Sequence, residues 1–175
     1  GSFKVRGAFN KIAGLQKAER QQGVIAASAG NHAQGVALAA KTFGIPATIV
    51  MPEAAPLAKL SATRALGAKV VQHGSSYDDA YLYACALQGE SGAVFLHPFE
   101  DPLVIAGQGT IGLEILEDLP EVDMIAIPIG GGGLAAGVAL AVKSLRPHVR
   151  IIGVEAAGAA SMKASIEAEE VVTLD

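Results

Sequence analysis

Short apolar segments alternate with longer stretches rich in Ala, Leu, Lys and Glu along most of this chain. The predicted strands are Val24–Ala27, Ala47–Met51, Lys69–Gln72, Ala93–Leu96, Met124–Ile129 and Ile151–Glu155. The predicted helices are Val5–Gln21, Ala33–Phe43, Leu57–Leu66, Tyr77–Gln88, Leu103–Leu119 and Leu134–Leu145. Such alternation is typical of parallel sheets with helical crossover connections. Segments such as Ala47–Met51 are apolar on both faces, which indicates a sheet covered by helices on either side. We therefore predict a doubly wound α/β fold.

The composition excludes several classes of protein. There are 13 basic and 17 acidic residues, a net charge of −4, which argues against a nucleic-acid-binding surface. No apolar run is long enough to span a membrane. The single cysteine excludes an internal disulfide framework and favours a reducing compartment, so we expect a cytoplasmic location. The four histidines have no metal-ligand spacing, and we expect no metal site.

Four consecutive glycines, Gly130–Gly133, follow the predicted strand Met124–Ile129 and precede a helix. Without side chains, the backbone N–H groups of such a loop can converge on an anion at the positive end of that helix, and phosphate is the obvious ligand. A tight turn would need fewer glycines. A second interpretation remains open, because Gly130, Gly132 and Ala135 fit a relaxed dinucleotide-binding pattern and Glu155 ends the next predicted strand, where a ribose-binding acid would lie.

A second unusual turn, Ser28-Ala29-Gly30-Asn31-His32, follows the predicted strand Val24–Ala27. Its hydroxyl, amide and imidazole groups at the start of a helix suit a carboxylate or a polar ring substituent. The alternative is a simple Ser or Asn helix cap, which would explain one of these residues. Lys4 lies just before the first predicted helix, and by spacing alone it is a surface charge.

Four motifs occur together in the order Ser2-Phe3-Lys4-Val5-Arg6-Gly7-Ala8, Ser28–Gly35, Ala106-Gly107-Gln108-Gly109-Thr110 and Gly130–Leu134. The set resembles the threonine dehydratases, or threonine ammonia-lyases, which are pyridoxal-phosphate enzymes of the tryptophan-synthase-β-like fold type (fold type II). The resemblance covers essentially the whole chain. The segments Gly1–Lys11 and Gly109–Glu114 are more similar to the short catabolic-type members.

The resemblance assigns roles to particular residues. It implies that Lys4 forms a Schiff base with pyridoxal 5'-phosphate and later takes the α-proton of the substrate. It places Phe3 against the cofactor ring and Asn31 on the ring hydroxyl. The phosphate would be bound by Gly130, Gly131, Gly132, Gly133 and Leu134, and the substrate carboxylate by Ser28, Ala29, Gly30 and His32. The dinucleotide interpretation then loses support, since one glycine loop cannot serve both cofactors.

The activity implied is the deaminating dehydration of L-threonine, and of L-serine, to 2-oxobutanoate or pyruvate and ammonia. A serine racemase is the nearest alternative, but similar racemases have a second serine where this chain has Ala29. More distant alternatives are a nicotinamide-dependent oxidoreductase and a cofactor-binding fragment without activity. The partners expected are a small amino-acid substrate and further copies of the chain in a homo-oligomer, with neither nucleic acid nor membrane.

The resemblance also predicts two interleaved domains. Residues 23–100 would form a small domain, and residues 1–22 and 101–175 would be parts of a large cofactor-binding domain. Members of the family extend past both ends of this chain, and the late motif that hydrogen-bonds the pyridine nitrogen has no counterpart in it. We therefore expect the chain by itself to be incomplete and far less active than a whole enzyme.

Overall fold

The computed structural model describes residues 2–174. Its helices are α1 (Lys4–Ala13), α2 (Lys17–Gln22), α3 (Asn31–Phe43), α4 (Leu57–Ala65), α5 (Tyr77–Ser91), α6 (Pro102–Asp118), α7 (Gly133–Leu145) and α8 (Ser161–Ala168). Its strands are β1 (Val24–Ala27), β2 (Ala47–Met51), β3 (Lys69–Gln72), β4 (Val94–Phe95), β5 (Met124–Pro128) and β6 (Arg150–Val154). The chain divides into two compact units, the first ending at Gly107 and the second beginning at Gln108.

The first unit is built on a four-stranded sheet in the order β3-β2-β1-β4. All three strand pairs are parallel. Every residue of β1 is buried, because apolar clusters cover both faces of the sheet. Ile12 and Val36 belong to the cluster on one face, and Ala80 and Ala84 belong to the cluster on the other. The predicted parallel sheet with helices on both sides is confirmed.

The second unit contains the parallel pair β5 and β6, joined through α7. Residues of β5 alternate between exposed and buried, so this strand packs on one face only. Its core includes Ile125, Ile127, Val138 and Val142. The α/β class predicted from the sequence is confirmed in this unit as well, whereas the division into domains at residues 22 and 100 stays a prediction.

The prediction of one helix over Val5–Gln21 is wrong. α1 ends before Gly14, and α2 begins after Gln16. Glu19 accepts a hydrogen bond from the backbone N–H of Gln16 at 2.7 Å, which fixes a new helix start. Arg20 then donates to the carbonyl oxygen of Ala13, the last residue of α1, and to that of Leu15 in the loop, so both carbonyl groups are hydrogen-bonded without a continuous helix.

The helix α8 and the short 3₁₀ turn Ala157–Ala159 were not predicted. α8 begins where Glu155 accepts hydrogen bonds from the backbone N–H groups of Met162 and Lys163, at 2.9 and 2.8 Å. The capping group thus lies well before the helix in sequence, outside the local window in which a start signal is sought.

Residues 2–174 contain neither a membrane-spanning helix nor a cluster of metal ligands. No helix there combines the length and the apolar character needed to cross a bilayer. In the same part of the chain, no three His, Cys, Asp or Glu side chains are grouped as metal ligands. The cytoplasmic location stays a prediction.

Candidate active site

Lys4 is the first residue of α1, and its side chain is half-buried. Its Nζ atom donates a hydrogen bond to the carbonyl oxygen of Pro98 at 2.9 Å and lies 5.3 Å from the centroid of the Phe3 ring. Burial lowers the pKa of this amine below its ordinary value. A larger fraction of Lys4 is therefore uncharged and nucleophilic near neutral pH than of a solvated lysine.

Two glycines allow α1 to lie close to its neighbours. A Cβ atom on Gly35 in α3 would lie 3.1 Å from the carbonyl carbon of Lys4, and one on Gly107 in α6 would lie 2.6 Å from the carbonyl oxygen of Arg6. Lys11 adds an ion pair with Asp101 at 2.7 Å. The position of Lys4 beside the start of α3 therefore depends on small residues in the neighbouring helices.

The loop before α3 leaves the start of that helix open. Gly30 is the N-cap residue, and among the described residues no side chain caps α3. Ser28 Oγ instead accepts from the N–H of Gly30 at 3.1 Å, inside the loop. The simple-cap alternative is therefore wrong. The first N–H groups of α3, from Asn31 onward, have no acceptor within the helix, and with the helix dipole they favour an anion such as a carboxylate.

His32 is buried, with 3% of its surface exposed. Its Nε2 atom lies 2.9 Å from the carbonyl oxygen of Leu96, so Nε2 carries the proton. Burial, with smaller contributions from Lys4 and His97, lowers the pKa of His32 to about 4. The ring is thus neutral, and its Nδ1 atom is a buried acceptor without a partner among the described residues. The predicted contact of His32 with a carboxylate can use only its backbone N–H.

Asn31 has a partner that sequence reasoning missed. Lys59 Nζ, on α4, donates to Asn31 Oδ1 at 3.2 Å. Both residues line a cavity of ≈ 320 Å³ together with Ser2, Gln34 and Leu66. Pro98 was also missed as the residue that holds the Lys4 amine. The sequence gives no signal for either contact. Lys59 has the pattern of an ordinary lysine on a helix, and Pro98 contributes only its backbone carbonyl group.

The glycine loop lies in the second unit, between β5 and α7. Gly132 has φ +84°, a left-handed conformation that favours glycine, and it is the N-cap residue of α7. In the part of the chain that the structure describes, no side chain caps this helix either. The loop therefore places uncapped backbone N–H groups at the positive end of α7, as expected for a phosphate-binding site.

The dinucleotide interpretation of this loop is not supported by Glu155. Both carboxylate oxygens of Glu155 accept hydrogen bonds from the start of α8. A ribose-binding acid needs those oxygens for the sugar hydroxyls. Glu155 is a helix cap here.

The residues predicted for the site thus fall into two groups. Phe3, Lys4 and the loop Ser28–His32 belong to the first unit, and the loop Gly130–Leu134 belongs to the second. The first group supplies an amine of lowered pKa, an amide and an open helix start. The second group supplies a glycine loop with uncapped backbone N–H groups at the start of α7. Each group on its own has the chemistry that one end of pyridoxal phosphate requires.

Comparison with known proteins agrees with these features. The family described as "Pyridoxal-phosphate dependent enzyme" matches residues 1–175. An L-threonine ammonia-lyase of Thermotoga maritima is 62% identical over 166 residues, which make up 95% of this chain and 41% of that protein. The catabolic L-threonine dehydratase TdcB of Escherichia coli strain K12 is 50% identical over 173 residues, 99% of this chain and 53% of that protein.

Similarity also extends to a solved structure. The structure of maize serine racemase matches with a TM-score of 0.96 and 44% sequence identity, and the match covers 99% of this chain and 53% of that one. The chain therefore spans about half the length of the relatives that it matches.

Proposed function

The chain belongs to the pyridoxal-phosphate-dependent enzyme family, and from this premise we propose that it takes part in the deaminating dehydration of L-threonine, and of L-serine. The products would be ammonia with 2-oxobutanoate or pyruvate. The observation that carries the proposal is Lys4, a half-buried amine of lowered pKa held at the start of α1. The high identity to an L-threonine ammonia-lyase supports the choice of reaction.

The cofactor, when bound through its aldehyde carbon, supplies an electron sink that stabilises negative charge at the substrate Cα. Lys4 Nζ is the atom proposed to attach to that carbon. Once an amino acid has displaced it, the freed amine is proposed to take the α-proton. Both steps need an uncharged amine, which the burial of Lys4 favours, and Phe3 packs beside it.

Binding of the substrate carboxylate is proposed for the open start of α3, through the loop residues Ser28, Ala29, Gly30 and His32. The uncapped N–H groups support this role. Asn31 is proposed to contact the ring hydroxyl of the cofactor through its amide. In the second unit, Gly130–Gly133 and Leu134 are proposed to hold the cofactor phosphate, supported by the left-handed Gly132 and the uncapped α7.

The similarity to a serine racemase keeps racemisation as a second candidate. Racemisation requires an acid–base group on each face of the substrate Cα. Ala29 has a methyl group at the loop position where similar racemases have a second serine, and Ser28 Oγ already accepts a hydrogen bond from Gly30. These two features support elimination over racemisation. We further propose that the protein assembles as a homo-oligomer.

The Lys4→Ala change tests the proposed reaction in the complete protein that contains this sequence. We expect threonine turnover to fall by about 10³-fold or more, because no neighbouring side chain replaces a covalent amine. Borohydride reduction followed by peptide mass spectrometry should place the cofactor on Lys4. Lys17→Ala, at an exposed helix start, is the matched control and should keep full activity. Trapping of the cofactor on another lysine would refute the assignment.

A further inference from the structure

The hydrogen bond between Lys59 and Asn31 determines the orientation of the Asn31 side-chain amide. An ammonium group has donors only, so its partner at 3.2 Å is the amide oxygen, Oδ1. The other end of the amide, Nδ2, can only donate and is turned away from Lys59. The orientation of the amide thus follows from the charge of its neighbour.

Nothing else in the described surroundings of Asn31 selects this orientation. Asn31 is exposed and is the first residue of α3, whose N-cap is Gly30, so its side chain is not engaged in capping. The χ2 torsion of asparagine has broad minima, and water solvates both ends of an exposed amide. Without a fixed cation, the two orientations would be of similar free energy.

Lys59 is well placed to supply that fixed cation. Its side chain is half-buried in the wall of the ≈ 320 Å³ cavity that Asn31 also lines. Its position is set by α4, where the Thr63 hydroxyl donates to the Lys59 carbonyl oxygen at 2.8 Å. Partial burial leaves the Lys59 side chain fewer rotamers than a fully exposed lysine has.

We propose that Lys59 is a positioning residue that holds the Asn31 amide with Nδ2 directed to donate to the ring oxygen of the cofactor. This inference rests on the proposed function, because it uses the assignment of Asn31 to the cofactor ring. A donor at that oxygen favours its ionised form, whereas the amide oxygen in the same place would disfavour it. Lys59 thereby acts on the cofactor only through Asn31.

The test uses the complete protein and pyridoxal phosphate as the probe. Lys59→Met removes the donor at similar side-chain volume, and Lys59→Arg keeps it. For Lys59→Met we expect about threefold to tenfold weaker binding of the cofactor. We also expect a change in the ratio of the visible to the near-ultraviolet absorbance band of the bound cofactor. Lys59→Arg should restore both properties. Arg64→Met, which removes an exposed cation from the same helix, is the control and should resemble the parent.

A double-mutant cycle separates positioning from a structural effect. In an Asn31→Ala background, Lys59→Met should change neither the affinity nor the band ratio further. An equal effect of Lys59→Met with and without Asn31, or no effect in the parent, overturns the inference. Failure of the proposed function looks different, since the parent protein itself would then bind no pyridoxal phosphate and show no visible band.

Discussion

His32 is a buried imidazole that the fold keeps neutral. Its pKa of about 4 in the folded state lies below the ordinary value of 6.5, with burial as the main cause. Between these two values the unfolded chain binds more protons than the folded one, so stability falls as the pH falls. The contribution of His32 is complete above pH 6.5 and is lost progressively toward pH 4.

We expect His32 to make unfolding about 2 kcal/mol easier at pH 5 than at pH 7. Urea unfolding of the parent, His32→Gln and His148→Gln at both pH values measures this. His32→Gln should remove most of this component of the pH dependence, since glutamine does not titrate, and His148→Gln, at an exposed position, should keep it. An unchanged pH dependence in His32→Gln would show that the buried ring is not its source.

Ala29 is the residue that separates the two candidate reactions. Its side chain is half-exposed in the loop before α3. In the complete protein, Ala29→Ser should add some racemisation of serine to its dehydration, because a positioned hydroxyl can exchange a proton with the substrate Cα. Chiral chromatography of recovered serine measures it, with Ala18→Ser as the surface control. Unchanged enantiomeric purity would mean that Ala29 does not discriminate the reactions.

At the scale of helices and strands, the contact between α1 and α3 positions Lys4. The contact is close because Gly35 has no side chain, and the nearest atoms are backbone atoms of Lys4 and Val5, at 3.1 Å from a built Cβ. Backbone atoms of a helix cannot rotate away as a side chain can, so any larger residue at position 35 must displace α1.

Gly35→Ala should therefore lower both stability and cofactor affinity. We expect a loss of about 1–2 kcal/mol in unfolding free energy, the overpacking cost less the gain in helix propensity. Gly89→Ala on α5 is the matched control, because a Cβ there meets nothing within 4 Å, and it should be neutral or slightly stabilising. Urea unfolding and titration with pyridoxal phosphate measure the two effects. Equal behaviour of both variants would contradict the packing argument.

At the scale of the whole molecule, the two units differ in how fully they bury their sheets. In the first, β1 is buried along its whole length between apolar clusters. In the second, β5 is exposed at every other residue and β6 at most positions. A two-stranded sheet with an open face is marginally stable in water, whereas a covered four-stranded sheet is not.

Amide hydrogen exchange of the 175-residue chain should reflect this difference. We expect amides of β1 to exchange about 10²-fold more slowly than those of β6, relative to their intrinsic rates, because opening β1 exposes two apolar faces. Mass spectrometry or NMR of the exchanging chain measures it. Equal protection of the two strands would show that the units open together.

The amino-acid sequence by itself determined the α/β class, all six strands to within one residue at each end, and the two unusual loops. These features are local, because strand and helix periodicity and glycine clusters depend on residues close together in the chain. The break at Gly14 could not be predicted, because one glycine is compatible with a continuing helix and the new start depends on a side-chain contact from Glu19.

The tertiary structure alone decided the chemistry of the individual groups. Lys4 is held by Pro98, His32 by Leu96 and Asn31 by Lys59, across 94, 64 and 28 positions of sequence. Burial and hydrogen-bond partners at such separations set the pKa of an amine, the tautomer of an imidazole and the orientation of an amide. The pattern of residue types in a sequence shows which chemical groups are present. It does not show which of these groups the folded chain brings into contact or buries away from water.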